Sequence, residues 1–260
     1  MKMLLPIVLL TITLVHDAHA QTPEEKGLAI AREMDRRDSG WKDQRANLVM
    51  TLRNRQGQES RRELRISTLE VDGDGDKSLT RFDSPRDVKG TAFLSFTHAT
   101  EPDDQWLYLP ALKRVKRISS RNKSGSFMGS EFAYEDLSSQ EVDKFRYKWL
   151  RDEALDGKQT MVVEYYPAYE NSGYTRQVVW IDSEIWQVVR TEYYDRKNAL
   201  LKTLTIDGYR QYLDKHWRAD MMHMVNNQTG KSTAIQWSDY RFDTGLTDRD
   251  FDRNALKRTR

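Results

Sequence analysis

Residues Asp104 to Asp136 read DQWLYLPALKRVKRISSRNKSGSFMGSEFAYED, and the pattern changes twice along this stretch. Gln105 to Leu109 reads as a strand whose two faces, Trp106 and Tyr108 on one and Leu107 and Leu109 on the other, are both apolar, so each must be covered. After Pro110, Leu112, Arg114, Lys116 and Ile118 alternate with Lys113, Val115 and Arg117, a basic hairpin partner with at least one wet side. Ser124 to Ser130 is then composed like a flexible loop, yet it carries Phe127 and Met128, two large apolar side chains that need a pocket. Ser130 reads as the N-cap of a short helix over Glu131 to Leu137, with Glu131, Glu135 and Asp136 on it. Together these features describe a wall, a rim and a lid of an apolar cavity. The alternative is a loop pinned to its own core by Phe127 and Met128.

Working outward, the same period-two pattern recurs on both sides. Thr22-Pro-Glu-Glu opens a helix with Thr22 as N-cap, Pro23 at N1 and Glu25 at N3, an apolar stripe of Leu28, Ala29, Ala31 and Met34, and a stop at Ser39-Gly40. Strands are expected at Gln44 to Asn54, Glu59 to Leu69, Lys77 to Phe82, Gly90 to Phe96 and, past the quoted stretch, at Phe145 to Leu150, Gln159 to Tyr166, Thr175 to Ile181 and Gln187 to Tyr194. Further strands are expected at Leu200 to Tyr209, His216 to Val225 and Ser232 to Phe242. Thr247 to Phe251 reads as a short capped helix. No long helical pattern separates the strands, so a parallel βαβ arrangement is disfavoured. The expected fold is mainly β: an incomplete antiparallel barrel of about 11–12 strands with covering helices. Val178 to Ile181 and Met221 to Val225 are again apolar on both faces, and the methionines suit a wall that must conform to a chain without fixed shape.

Residues 1–20 read as a cleaved signal peptide: Lys2, an apolar run from Leu4 to Val15, and Ala18-His-Ala20 before Gln21. The run is too short to span a bilayer. With no cysteine in the chain there is no disulfide, thiolate chemistry or lipid-acceptor site, and an exported product of the bacterial periplasm is expected. About 240 remaining residues with no linker read as one domain, 21–260. A formal charge of +2 from 42 basic and 40 acidic residues argues against nucleic acid as a partner. Asp72, Asp74, Asp76 and Asp83 fall at calcium-loop spacing, but Lys77 stands where the loop needs glycine, so a hairpin turn is the expected reading and no metal is assigned. No catalytic residue or cofactor is assigned either. His98, His216 and His223 lack zinc-site spacing, and no nucleophile elbow or nucleotide loop appears. Asp103-Asp104, Glu135-Asp136 and Glu192 leave a paired-carboxylate enzyme as the minor alternative.

Ser124 to Phe132 with Tyr134-Glu-Asp136, downstream of Trp106 to Pro110 and Lys113 to Arg117, resembles the outer-membrane lipoprotein-sorting family of LolA-like periplasmic proteins, in its branch associated with RND exporters. Asp76 to Phe82 with Pro85, Lys89 to Leu94, and Tyr193 to Asp195 leading to Leu201 to Leu204 are similar to that family's other recurrent stretches. The resemblance implies a half-open antiparallel barrel that carries acyl chains of a lipid or lipoprotein, contacts membranes transiently and cooperates with an inner-membrane RND-type transporter. A lipid sensor of the RseB type is the alternative. The candidate acyl-chain residues are Phe93, Trp106, Tyr108, Phe127, Met128, Phe132, Tyr134, Trp180, Met222 and Met224. Lys113, Arg114, Lys116, Arg117 and Arg121 are the candidates for contact with a partner or an anionic head group.

Overall fold

The computed structural model describes residues 21–257; the expected signal peptide, and Arg258 to Arg260, lie outside the described residues. Helix α1 (Pro23–Asp38) precedes β1 (Asp43–Arg53), β2 (Glu59–Leu69), β3 (Lys77–Ser84), β4 (Ala92–Phe96), β5 (Asp104–Leu109) and β6 (Arg114–Ile118). A long loop of 3-10 turns leads to β7 (Phe145–Leu155), β8 (Lys158–Pro167), β9 (Tyr174–Asp182), β10 (Gln187–Asp195) and β11 (Leu200–Asp207). The chain continues through β12 (Arg210–Tyr212), β13 (His216–Arg218), β14 (Met221–Asn226) and β15 (Ser232–Phe242).

Thirteen of these strands form one antiparallel sheet in the order β6-β5-β4-β3-β2-β1-β15-β14-β11-β10-β9-β8-β7, and β12 and β13 pair separately. The expected mainly-β, open antiparallel architecture is what forms. The strand count is higher than expected because Arg210–Tyr212 pairs as an extra short strand beyond the expected Leu200 to Tyr209 segment and a second segment breaks. Gly208 has φ +68° and turns the chain after β11, and a Cβ there would meet Asp220 at 3.0 Å. The segment from His216 to Val225 divides into β13 and β14, so a small hairpin stands off the sheet. A second correction concerns the helices: α1 is the α-helix among the described residues, and the other covering pieces are 3-10 turns.

The edge strands β6 and β7 do not pair, yet the sheet curls. Asp103, one residue before β5, forms an ion pair with Lys144, one residue before β7, although β5 lies second and β7 last across the sheet. Directly opposed residues share a face, so the register traces an inner row through Leu107, Phe93, Thr80 and Ile66. On the far half the same face runs through Leu204, Thr191, Val179 and Val163.

Helix α1 covers part of that inner face. Its capping box at Thr22 and Glu25 forms as expected, but the buried stripe is Gly27, Ile30 and Ala31 with Met34 beside them. Ala29 is exposed. The phase shift has a close approach behind it: a Cβ on Gly27 would stand 2.8 Å from the backbone nitrogen of Trp149, so the helix rests on the β7 backbone. Ile30 and Ala31 then pack on Tyr147, Val163, Tyr165, Val179 and Ile181. The outer face near the other edge is covered by the C-terminal segment, where Leu246, Phe251, Ala255 and Leu256 pack on Leu79, Leu94 and Trp106. Thr247 opens the turn Asp248–Phe251 there, its amide and hydroxyl both donating to the Asp250 carboxylate.

Candidate functional site: a plugged apolar inner face

The apolar inner face that α1 leaves open is filled by the loop between β6 and β7. Phe127 is 1 % exposed and sits with its ring 5.9 Å from Phe82, 5.2 Å from Phe93 and 5.6 Å from Tyr134. Phe132 is also buried in this cluster, among Leu48, Met50, Leu204, Met224 and Ile235 from the sheet. A small hairpin presents both rings: the Phe127 amide donates to the Phe132 carbonyl at 2.7 Å, and Ser126 bridges Ala133. Met128 at φ +50° and Gly129 at φ +79° form its turn.

This arrangement corrects the expected helix. Ser130 caps nothing; its hydroxyl donates back to the Phe127 carbonyl at 2.7 Å, and the helical piece is a 3-10 turn, Tyr134–Leu137. Nor is the segment a free lid. Its tip, residues 124–130, is tied to the sheet by Arg62, which donates to the Met128 carbonyl at 2.6 Å, and more loosely by Arg196 at Ser124. Its root is held far more firmly. Asp136 pairs with Lys202 at 2.5 Å, both side chains nearly fully buried at 3 % and 4 % exposure, and also accepts from the Tyr174 hydroxyl and the Ala133 amide. Glu135 accepts from the hydroxyls of Tyr169 and Ser172 and from the Gly173 amide, and burial pushes its carboxyl upward. Gln105 donates to the Tyr134 carbonyl and to Ser138.

Magnitudes separate tip from root. Leaving one member of a buried ion pair unpaired costs about 3–5 kcal/mol, whereas the tip's tie through Arg62 is a charge-assisted bond worth about 1.5–3 kcal/mol. The tip is therefore the more weakly hydrogen-bonded part of the loop.

Of the ten candidate acyl-chain residues, Phe93, Phe127, Phe132 and Met224 are buried in the inner cluster, with Met128, Tyr134 and Met222 packed against it. The structure does not bring the other three there. Trp106 and Tyr108 lie on the outer face under the C-terminal segment, because Trp106 opposes Leu94 while its neighbour Leu107 opposes Phe93. Trp180 packs with Val162, Val178 and Val189 on the outer face, its Nε1 donating to Glu153 at 2.5 Å. A strand apolar on both faces thus served two coverings from the chain itself, one of which is unrelated to the plugged face.

The basic group divides as well. Arg117 pairs with Asp104 at 2.5 Å, while Lys113 turns the chain at φ +48° and Arg114, Lys116 and Arg121 make no ion pair among the described residues. The carboxylates that left an enzyme open are engaged structurally: Asp103 with Lys144, Asp136 with Lys202, and Glu192 with Arg190 at 2.6 Å. Lys202 is the site residue that the sequence reading missed. Its signal was there, since it shares strand parity with Leu204 and Ile206 and is therefore a lysine on a core face.

A cavity of about 180 Å³ remains beneath the loop root, bordered by Phe132, Tyr174, Tyr193, Leu204, Ile206 and Met222. That is below the ~300–1,000 Å³ of ordinary ligand pockets.

Among the described residues no helix is long and apolar enough to cross a membrane. A family model described as an uncharacterized protein matches residues 74–258. No curated protein matches the chain. Among solved structures, an outer membrane lipoprotein-sorting protein domain from Vibrio parahaemolyticus is 60% identical, covers 90% of this chain and 100% of its own, and superposes with a TM-score of 0.89. A DUF1329 family protein from Desulfovibrio piger ATCC 29098 is 33% identical over 90% of this chain and 99% of its own, with a TM-score of 0.86. A LolA superfamily protein from Nitrosomonas europaea, 18% identical over 88% of this chain and 98% of its own with a TM-score of 0.71, shares the fold. At these identities and coverages the chain belongs to the family of outer membrane lipoprotein-sorting protein domains.

Proposed function

We propose that this protein is a non-enzymatic periplasmic carrier that takes an acyl chain of a lipid or lipoprotein onto the inner face of its sheet and hands it between an inner-membrane exporter of the RND type and the outer membrane. One observation carries this reading: the middle of the inner face is filled by Phe127 and Phe132 from a loop hairpin, not by the sheet or by α1. A protein built solely for stability would cover that face with a fixed element. Here Phe127 stands on a small self-bonded turn, residues 124–130, whose departure leaves Phe132 and the loop root anchored through Glu131 and Asp136. The exchange is energetically adequate. Each buried methylene is worth about 0.8 kcal/mol, on the order of 10 kcal/mol for a long chain, against roughly 1.5–3 kcal/mol for each phenylalanine displaced. Family membership and the sheet that does not close support the same reading, as does the likeness to a LolA superfamily fold.

The plug then competes with cargo. Replacing Phe127 with Ala lowers the stability of the empty protein by about 3–5 kcal/mol and tightens its binding of a fluorescent long-chain fatty acid by about 10–100-fold, the equivalent of one displaced ring. Fluorescence titration and thermal unfolding on the same sample check both halves. A destabilised variant with unchanged or weaker binding makes Phe127 an ordinary core residue and removes the carrier reading.

A further inference from the structure

Two of the openings among the described residues are of opposite character. The cleft between α1 and the β2–β3 turn, about 530 Å³, is lined by carboxylates that include Asp35, Asp38, Glu70, Asp76 and Glu141, with no lysine or arginine among its lining residues. The other opening, about 470 Å³, lies between edge strand β6 and residues 121–125, and there the charge is reversed: Lys116 and Arg121 are on its wall and no carboxylate is. Its floor is Leu107, Leu109, Ile118 and Tyr134. Leu107 and Ile118 belong to the inner cluster, and Tyr134 packs 5.6 Å from Phe127 and 5.5 Å from Phe93. The opening therefore leads from a basic rim along an apolar floor to the ring that plugs the inner face.

Strand parity explains how the sequence makes such a rim. Lys116 opposes Leu107 and Arg114 opposes Leu109, so both cations fall on the inner face at the sheet's edge, whereas Arg117 opposes Trp106 on the outer face and is neutralised by Asp104. Arg114, Lys116 and Arg121 are exposed and carry no ion pair among the described residues. Long cationic side chains lying over apolar surface with free charged ends suit a ligand that is anionic at one end and aliphatic at the other.

We infer that this opening is the entry port for an anionic lipid, whose phosphate is held by Lys116 and Arg121 while its acyl chain runs over Leu107 and Ile118 past Tyr134 to displace Phe127. This rests on the carrier reading above and adds the charge of the cargo and the place where it enters. The acidic cleft beside α1 repels the same head group.

The test compares myristoyl lysophosphatidylglycerol with myristoyl lysophosphatidylcholine, identical in chain and different in net charge, each below its micelle concentration, by calorimetric titration of the full mature chain at low salt. The expected result is about tenfold tighter binding of the anionic lipid. In the double variant Lys116→Glu/Arg121→Glu the expected affinities are equal, with the zwitterionic lipid bound as before. Both positions are exposed, and circular dichroism verifies the fold. Equal binding by the unaltered protein, or a preference that survives charge reversal, overturns the port while leaving the carrier reading in place. Displacement of the lipid by inorganic phosphate alone overturns it too, by making the site a phosphate site. Binding of neither lipid removes both.

Discussion

Asp76 stands at the base of the turn between β2 and β3, where burial pushes its carboxyl up to about 7 and Glu141, Glu70 and Asp38 add repulsion. An acid that holds its proton more tightly folded than unfolded stabilises the fold fully below its ordinary value of 3.8, and that contribution is lost as pH rises through about 7. Asp76→Asn is therefore expected to be more stable than the unaltered protein at pH 8 by about 1–3 kcal/mol, after allowance for solvent screening. The gap should close by pH 4. Urea unfolding at several pH values measures it, and a gap that does not vary with pH contradicts the assignment. The Asp-Gly pattern around this residue was enough to identify a turn. Its raised pKa was not legible, because a turn carboxylate is ordinarily solvated and two of the carboxylates that crowd this one, Asp38 of α1 and Glu141, are distant in sequence. His98, similarly, reads as an isolated histidine until the fold sets its Nδ1 2.8 Å from Asp74.

At the scale of the element, the loop between β6 and β7 is two devices in series. Phe127 and Met128 between glycines and serines were readable as a plug, since large apolar side chains in a polar loop require a pocket. The root was misread as a capped helix: Ser-Glu-Phe-Ala-Tyr-Glu-Asp has the polarity of a helix start, but Phe132 is drawn into the sheet and Asp136 onto Lys202, and these long-range demands override the local signal. Lys202→Met leaves Asp136 buried without its cation and is expected to cost about 3–5 kcal/mol in urea unfolding at neutral pH. Lys202→Met/Asp136→Asn should recover most of that loss, because the amide oxygen can still accept from the Ala133 N–H while its NH2 donates to the Tyr174 hydroxyl. If the double variant is as unstable as the single one, the pair is not what holds the root. The stripe of α1 shows the same limit of local reading. Its period was visible, but its phase depended on Gly27 meeting the β7 backbone, and no spacing within the helix announces that contact.

At the scale of the whole molecule, alternation and turn residues specified an open antiparallel sheet, and the resemblance to LolA-like proteins pointed to the same architecture. What they left open was which face of each double-faced strand is covered by what. The C-terminal segment covers the outer face, α1 covers one part of the inner face, and the β6–β7 loop plugs another. Curl sets the rest: by bringing Asp103 to Lys144 it gathers the plug, its anchors and both openings around one interior. The most direct measurement of whether that interior is made to be vacated is hydrogen exchange, followed by mass spectrometry, with and without saturating myristic acid. Loading should speed exchange at the amides of Phe127 and Ser130, which now donate to Phe132 and Phe127. Those of Ala133 and Gly173, held by the carboxylates of Asp136 and Glu135, should stay protected. Bound fatty acid with unchanged or greater protection across residues 124–130 would contradict the account.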